Sequence, residues 1–144
     1  MVNIWGMKLM IVDDHAHTRA MIRKFLDFPG MTYFECSSGE EAVAQAREFK
    51  PNWVTMDVHM PGLNGFESTK ALRAVHPAAR VMIVTSDNQS HYRQLSREVG
   101  AIGLIAKENL MALRMMLAQE ITNRTLAREI GAHDSAISKE QAAA

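Results

Sequence analysis

The chain has 144 residues, the size of one domain with a short additional segment. Sixteen basic residues balance sixteen acidic ones, so no basic excess favours binding to nucleic acid or to a membrane surface. Apolar residues make up 47% of the chain, enough for a folded core, and the single cysteine excludes an intramolecular disulfide and fits a reducing, cytoplasmic setting.

Five short apolar runs are spaced along the chain, and each is followed by polar residues. They predict β-strands, because a run that is apolar on both faces suits a strand buried between two layers. All five are far too short to cross a bilayer, so we expect no membrane span. In chain order the runs are Leu9–Val12, Met31–Cys36, Trp53–Met56, Val81–Val84 and Gly103–Ala106.

The segments between these runs carry apolar residues at helical spacing and predict five α-helices. The second helix begins with a capping-box pattern from Ser38 to Glu41. The alternation of strand and helix predicts an α/β domain with a doubly wound, five-stranded parallel sheet. The helical stripes are Met21, Ile22, Phe25 and Leu26; Ala42, Ala46 and Phe49; Phe66, Leu72 and Val75; Tyr92, Leu95 and Val99; and Leu110, Leu113, Leu117 and Ile121.

The apolar pattern changes phase near the end of the chain. On a continuous helix, Leu126 and Ile130 would lie roughly opposite the stripe of the fifth helix, and Thr122 is a poor helix former at the change. Either the helix breaks there, or it continues and presents a second apolar stripe. We therefore divide the chain into a domain, residues 1–121, and a tail or linker start, residues 122–144, that is helical in the second case.

Four of the five predicted strands end in polar side chains of a particular kind. The carboxyl ends of parallel strands converge on one edge of the sheet, where ligands bind in such folds. We therefore expect these side chains to meet although they are far apart in sequence. They are Asp13 and Asp14, Asp57, Thr85 and Lys107.

Three carboxylates gathered in one crevice repel each other unless a cation neutralises them. Oxygen ligands favour a hard ion, Mg²⁺ first. A lysine and a hydroxyl beside a carboxylate then indicate a phosphoryl-transfer site in which the carboxylate is the nucleophile. Each residue alone has an ordinary structural explanation, such as helix capping by Asp13 or Asp14, and the combination carries the argument.

These residues lie in motifs that resemble the receiver domains of two-component response regulators. The resemblance covers about residues 7–121. It implies the flavodoxin-like fold with strand order 2-1-3-4-5, which the chemotaxis receiver exemplifies. The motifs are Leu9–Asp14, Met56–Gly65, Val84–Ser86, and Gly100-Ala101 leading to Lys107.

The resemblance implies a role for each polar residue. Asp57 matches the phosphate acceptor, and Lys107 and Thr85 match the residues that contact the phosphoryl oxygens. Ser86 matches the small residue beside the acceptor, and His59 stands next to the phosphoryl group.

The resemblance also implies a metal site. Asp13 and Asp14 match the acidic pair that holds Mg²⁺ directly or through water. Asp57 and the backbone carbonyl of His59 complete the set, and Mn²⁺ is the alternative ion.

Three positions depart from the family pattern. Leu104 stands where an aromatic switch residue is expected, so the usual coupling to the threonine is altered or absent. Glu108 follows Lys107 in place of the common proline, and a cis peptide there would cost ~3 kcal/mol. His59 has a side chain that either faces solvent or adds a nitrogen ligand that admits Zn²⁺ or Mn²⁺.

The leading interpretation is a phosphorylated signalling domain rather than an enzyme. The implied partners are a histidine kinase or histidine phosphotransfer protein and an unknown downstream protein, and a homodimer is left open. We expect no nucleic-acid contact within this chain, because it has no basic face. Two alternatives stay open: an unphosphorylated pseudo-receiver that acts in interaction or dimerisation, and the N-terminal part of a longer regulator with a DNA-binding output.

Overall fold

The computed structural model describes residues 6–87 and 89–143, with side chains up to residue 131. Five parallel strands form one sheet in the order β2-β1-β3-β4-β5, which confirms the predicted fold class. The strands are β1 (Lys8–Val12), β2 (Thr32–Cys36), β3 (Trp53–Met56), β4 (Arg80–Thr85) and β5 (Gly103–Ala106). The helices are α1 (Ala16–Phe25), α2 (Gly39–Phe49), α3 (Gly65–Val75), α4 (Tyr92–Glu98) and α5 (Leu110–Ala143), with a 3-10 turn over Lys107–Asn109.

The two faces of the sheet are covered by different helices. Alternate residues of a strand point to opposite faces, and β3 and most of β1 are buried on both faces. Met10 and Val54 pack in one core cluster with residues of α2, α3 and α4. Leu9 and Val84 pack in the other with residues of α1 and α5. This layering leaves the carboxyl edge of the sheet open between the helix layers.

Two local predictions are wrong in detail. Met21 and Phe25 of α1 are 40% and 37% exposed, because the helix turns only Ile22 and Leu26 toward the sheet. The capping box at α2 is half formed. Ser38 accepts a hydrogen bond from the Glu41 amide, but the Glu41 carboxylate does not accept one from the Ser38 amide.

That carboxylate accepts a hydrogen bond from the amide of Ser37, one residue earlier than the box requires. A complete capping box instead begins α3, where the side chains of Asn64 and Glu67 each accept the other's backbone amide. It fixes the start of α3 directly after the loop that follows β3.

Helix α5 does not break at the phase change. It is 34 residues long and continues through Thr122 and Asn123, so Leu126 and Ile130 are exposed at 51% and 61%. Glu120 secures its middle, because its carboxylate accepts a hydrogen bond from Trp53 and lies 3.2 Å from Arg80 Nη1. Within the described part of the chain, no helix is long and apolar enough to cross a membrane. The division at residue 121 stays a prediction.

Candidate functional site at the carboxyl edge of the sheet

The structure brings the predicted polar residues to one edge of the sheet. Asp13 follows β1, Asp57 follows β3, Thr85 ends β4, and Lys107 follows β5. Backbone hydrogen bonds extend the strand pairing into the site, since the Asp57 amide donates to the Val12 carbonyl at 3.0 Å. Asp13, Asp57 and Thr85 are buried, and buried carboxylates such as those of the two aspartates require a partner.

Lys107 is the partner that both buried carboxylates share. Its Nζ lies 3.0 Å from Asp13 Oδ2 and 3.2 Å from Asp57 Oδ1. The Lys107 side chain is itself only 18% exposed, so water screens these contacts weakly. One ammonium thus faces two carboxylates, and the pocket retains excess negative charge.

The pKa directions agree with this geometry. Burial raises the pKa of Asp57, the neighbouring charge of Asp13 raises it further, and Lys107 offsets only part of the increase. Burial alone would lower the pKa of Lys107, but its hydrogen bonds and charge interactions with Asp13 and Asp57 outweigh burial and raise it. Lys107 is therefore a permanent cation, and Asp57 gains from any further cation nearby.

The acidic pair at the end of β1 fits a metal ion. Asp13, Asp14 and His15 each offer a ligand atom, and these atoms lie within 4.8 Å of one another. Asp14 Oδ1 is buried without a hydrogen bond, and although His15 Nδ1 lies 3.1 Å away, the pair lacks hydrogen-bond geometry. A hard cation would coordinate such an unsatisfied carboxylate oxygen and would also neutralise the second carboxylate beside it.

His15 is a residue that the sequence argument did not place in the site. It stands one residue after the acidic pair, and its side chain is 70% exposed. Its amide donates to Asp13 Oδ1 at 2.9 Å, which holds that carboxylate in place. The sequence feature that could have indicated it is its place directly after the acidic pair, at the start of α1.

Thr85 ends β4, and Ser86 follows it at the carboxyl edge of the sheet. The Thr85 hydroxyl oxygen accepts a hydrogen bond from the amide of Asp87 at 3.0 Å and is not bonded to Asp57. Ser86 is exposed at the rim of the site. The hydroxyl proton of Thr85 has no described acceptor, so it is available to an anion.

The side chain of His59 is 60% exposed, as the solvent-facing alternative expects, and its ring nitrogen also contacts two neighbouring residues. Its Nε2 lies 3.0 Å from Asp87 Oδ2 and 3.2 Å from the hydroxyl oxygen of Tyr92. Neither Asp87 nor Tyr92 was a predicted site residue. The contact joins loops after β3 and β4, so no spacing along the chain indicates it.

Gly65 sits against the backbone of the acceptor. A Cβ added there would lie 2.8 Å from the carbonyl carbon of Asp57, and closer still to its oxygen. The Gly65 amide also donates to the Val58 carbonyl at 2.9 Å. The start of α3 is therefore pressed against the acceptor loop, and only glycine permits this approach.

The two other departures from the family pattern have local structural outcomes. Leu104 is buried in the core cluster that contains Tyr92. The peptide bond between Lys107 and Glu108 is trans, so no cis bond has to be maintained without proline.

Comparison with known proteins agrees with the geometry. The family model of the response regulator receiver domain matches residues 9–118. The response regulator GacA of Pseudomonas syringae pv. syringae is 36% identical over 118 residues, which cover 77% of this chain and 55% of that protein. The chain thus spans about half the length of the curated relatives it matches first.

Other relatives match over most of their length. Chemotaxis protein CheY of Thermotoga maritima is 32% identical over 103 residues, which cover 71% of this chain and 86% of that protein. The crystal structure of chemotaxis protein CheY4 of Vibrio cholerae superposes with a TM-score of 0.71 at 28% identity, over 79% of this chain and 98% of that one. The chain belongs to the response regulator receiver domain family of two-component signalling.

Proposed function

We propose that this receiver domain accepts a phosphoryl group on Asp57 and that the modification switches a protein-interaction surface. The observation that carries the proposal is the position of the Lys107 ammonium between the buried carboxylates of Asp57 and Asp13. A nucleophile, a fixed cation and a free hydroxyl proton at Thr85 are the groups that phosphoryl transfer to a carboxylate requires.

The donor we propose is a phosphohistidine of a histidine kinase or phosphotransfer protein. One carboxylate oxygen of Asp57 forms a bond to phosphorus while the phosphorus–nitrogen bond of the donor breaks. The electron pair of that bond returns to the imidazole nitrogen, and Asp57 becomes an acyl phosphate. Lys107 and the Thr85 hydroxyl stabilise the charge on the transferring oxygens.

We propose Mg²⁺ as the cofactor, with Mn²⁺ as the alternative. Asp13 and Asp14 would hold it, together with Asp57 and the backbone carbonyl of His59. When bound, such an ion neutralises the carboxylates and the phosphoryl charge. The unsatisfied Asp14 oxygen supports the assignment to this chain.

A second candidate is that these residues form the N-terminal part of a longer regulator with a DNA-binding output. The observation that favours it is the match to GacA, which spans 55% of that protein. In this case residues 1–121 are the receiver unit, and the extended α5 leads toward the output. Gel-shift assays with the longest available gene product would decide this, because we expect no DNA binding by these 144 residues alone.

The pseudo-receiver interpretation has weaker support. Leu104 favours it, because an aliphatic residue cannot act as the usual aromatic switch. The complete set of acceptor, acidic pair, hydroxyl and lysine argues against it, since a domain without phosphorylation has no need to bury these charges. Homodimerisation stays a prediction that sedimentation with and without phosphorylation would test.

Intact-mass spectrometry tests the proposal. The protein would be incubated with acetyl phosphate, with and without Mg²⁺, as wild type and as Asp57→Asn. We expect one Mg²⁺-dependent phosphoryl adduct on the wild type and none on the variant. The matched control is Asp27→Asn, an exposed aspartate outside the site, which should be modified like the wild type. Absence of any wild-type adduct would favour the pseudo-receiver.

A further inference from the structure

Tyr92 joins the core to the rim of the acceptor site. It is the first residue of α4, and its ring packs edge-on against Phe66 at 5.2 Å between centroids. The ring shares a core cluster with Leu104, the residue in the aromatic-switch position. Its hydroxyl points the other way, to His59 and Asp87. Tyr92 thus contributes an aromatic ring and a hydroxyl beside Leu104, and no residue of β5 carries either group.

The polar contacts form a continuous path from Thr85 to α4. The Thr85 hydroxyl oxygen accepts the Asp87 amide at 3.0 Å, and Asp87 Oδ2 lies 3.0 Å from His59 Nε2. The Tyr92 hydroxyl donates to Asp87 Oδ2 at 3.4 Å, and its oxygen lies 3.2 Å from His59 Nε2. When His59 Nε2 carries a proton, that proton is shared between Asp87 Oδ2 and the Tyr92 oxygen, while the Tyr92 hydroxyl donates to Asp87 Oδ2.

We propose that His59, Asp87 and Tyr92 form a latch that holds α4 in the unphosphorylated arrangement, with Tyr92 as the positioning residue. The inference rests on the proposed function, because the signal that opens the latch is an anion on Asp57. Leu104 of β5 cannot act as an aromatic switch. In the latch, the hydroxyl of Tyr92 on α4 takes that role.

The opening step follows from the hydrogen bonds of Thr85. The latch requires the whole Thr85 side chain to move toward a phosphoryl group on Asp57, so that its oxygen leaves the Asp87 amide as its free proton is donated to the phosphoryl group. The amide loses its acceptor, and the loop that carries the Asp87 carboxylate is no longer fixed relative to His59. The Tyr92 hydroxyl then loses its two partners, and the first turn of α4 is released.

The latch has a thermodynamic consequence that can be measured. Bonds made only in the unphosphorylated state oppose occupancy of Asp57, so weakening them must strengthen anion binding by the same factor. One such hydrogen bond corresponds to a roughly two- to ten-fold change in affinity. The probe is beryllofluoride with Mg²⁺, which imitates a phosphoryl group on a carboxylate.

The first experiment uses the fact that the chain has only two tyrosines. Protein with ¹³C-labelled tyrosine rings gives one set of ring signals for Tyr92 and one for Tyr33. The Tyr33 hydroxyl donates to the Leu26 carbonyl on the opposite side of the sheet and serves as the internal control. With beryllofluoride bound, we expect the Tyr92 signals to shift and those of Tyr33 to stay. In Thr85→Ala the Tyr92 shift should be lost or much reduced.

The second experiment compares beryllofluoride affinity in Tyr92→Phe and Tyr33→Phe, by titration in the presence of Mg²⁺. Each variant removes one hydroxyl and keeps the ring, so both should fold. We expect two- to ten-fold tighter binding for Tyr92→Phe and no change for Tyr33→Phe.

The outcomes separate the latch from the proposed function. Unchanged affinity of Tyr92→Phe, or an unmoved Tyr92 signal in protein saturated with beryllofluoride, would overturn the latch and leave Asp57 as the acceptor. Failure of the wild type to bind beryllofluoride at all would overturn the proposed function, and the latch with it.

Discussion

The ammonium of Lys107 and the carboxylate of Asp57 lie 3.2 Å apart although 50 positions of sequence separate them. Lys107 is held there because β5 ends directly before it and pairs with β4 in register. The same ammonium lies 3.0 Å from Asp13, so it neutralises part of a shared negative charge. The lysine is therefore part of the cluster at the carboxyl edge of the sheet and not a solvated surface charge.

Replacing Lys107 separates metal binding from the response to phosphorylation. In Lys107→Ala the two buried carboxylates lose their cation, so Mg²⁺ affinity should be retained or raised, while beryllofluoride binding should weaken at least roughly ten-fold. Calorimetric titration measures both. Lys70→Ala, which removes an exposed lysine of α3, is the control and should match the wild type. Beryllofluoride binding of wild-type strength in Lys107→Ala would contradict the assigned role.

Two glycine substitutions should have opposite effects. Gly65→Ala forces a methyl group into the Asp57 carbonyl, so we expect destabilisation of about 2 kcal/mol or more and a distorted acceptor loop. Gly131→Ala meets no atom within 4 Å on an exposed turn of α5, so we expect higher helicity and stabilisation of up to about 1 kcal/mol. Urea unfolding and circular dichroism measure the difference, and equal effects would refute the close approach of α3.

Glu120 should determine how firmly α5 is attached at the far end of the sheet. Its carboxylate contacts Trp53, Arg80 and Arg124 and is mostly buried. Glu120→Ala leaves the Trp53 indole N–H without its acceptor, so we expect a loss of about 1–3 kcal/mol in unfolding free energy and altered tryptophan fluorescence. Glu129→Ala, on an exposed position of the same helix, should change neither. If Glu120→Ala left the unfolding free energy and the tryptophan fluorescence unchanged, the contact would not stabilise the helix.

Cys36 should be unreactive in the native protein. It is buried at the end of β2, and burial raises the pKa of its thiol to about 12, with the charge of Glu41 adding to the effect. The thiolate fraction at pH 8 is then roughly one part in ten thousand, so an aromatic disulfide reagent should react only as the protein unfolds. Reaction in denaturant provides the reference rate. Rapid modification of the folded protein at pH 8 would disprove this.

The topology of the chain could be predicted because its signals are local. Apolar runs such as Leu9–Val12 are buried on both faces, and the helical stripes between them require a doubly wound arrangement. The meeting of Asp13, Asp57, Thr85 and Lys107 followed from parallel strands that share one edge. The predictions for Met21 and Phe25 failed because a stripe does not reveal which part of it faces the sheet.

The fold class, the family and the identity of the polar residues at the strand ends could all be predicted from the order of residues along the chain. Each of these depends on residue type and on regular periodicity, which are properties of neighbouring positions. The tertiary structure alone decided that His59 contacts Asp87 and Tyr92, that Gly65 presses on the Asp57 carbonyl, and that α5 continues through its phase change. These relationships arise where separate loops and helices meet, and the distance between two loops is set by the packing of the whole domain.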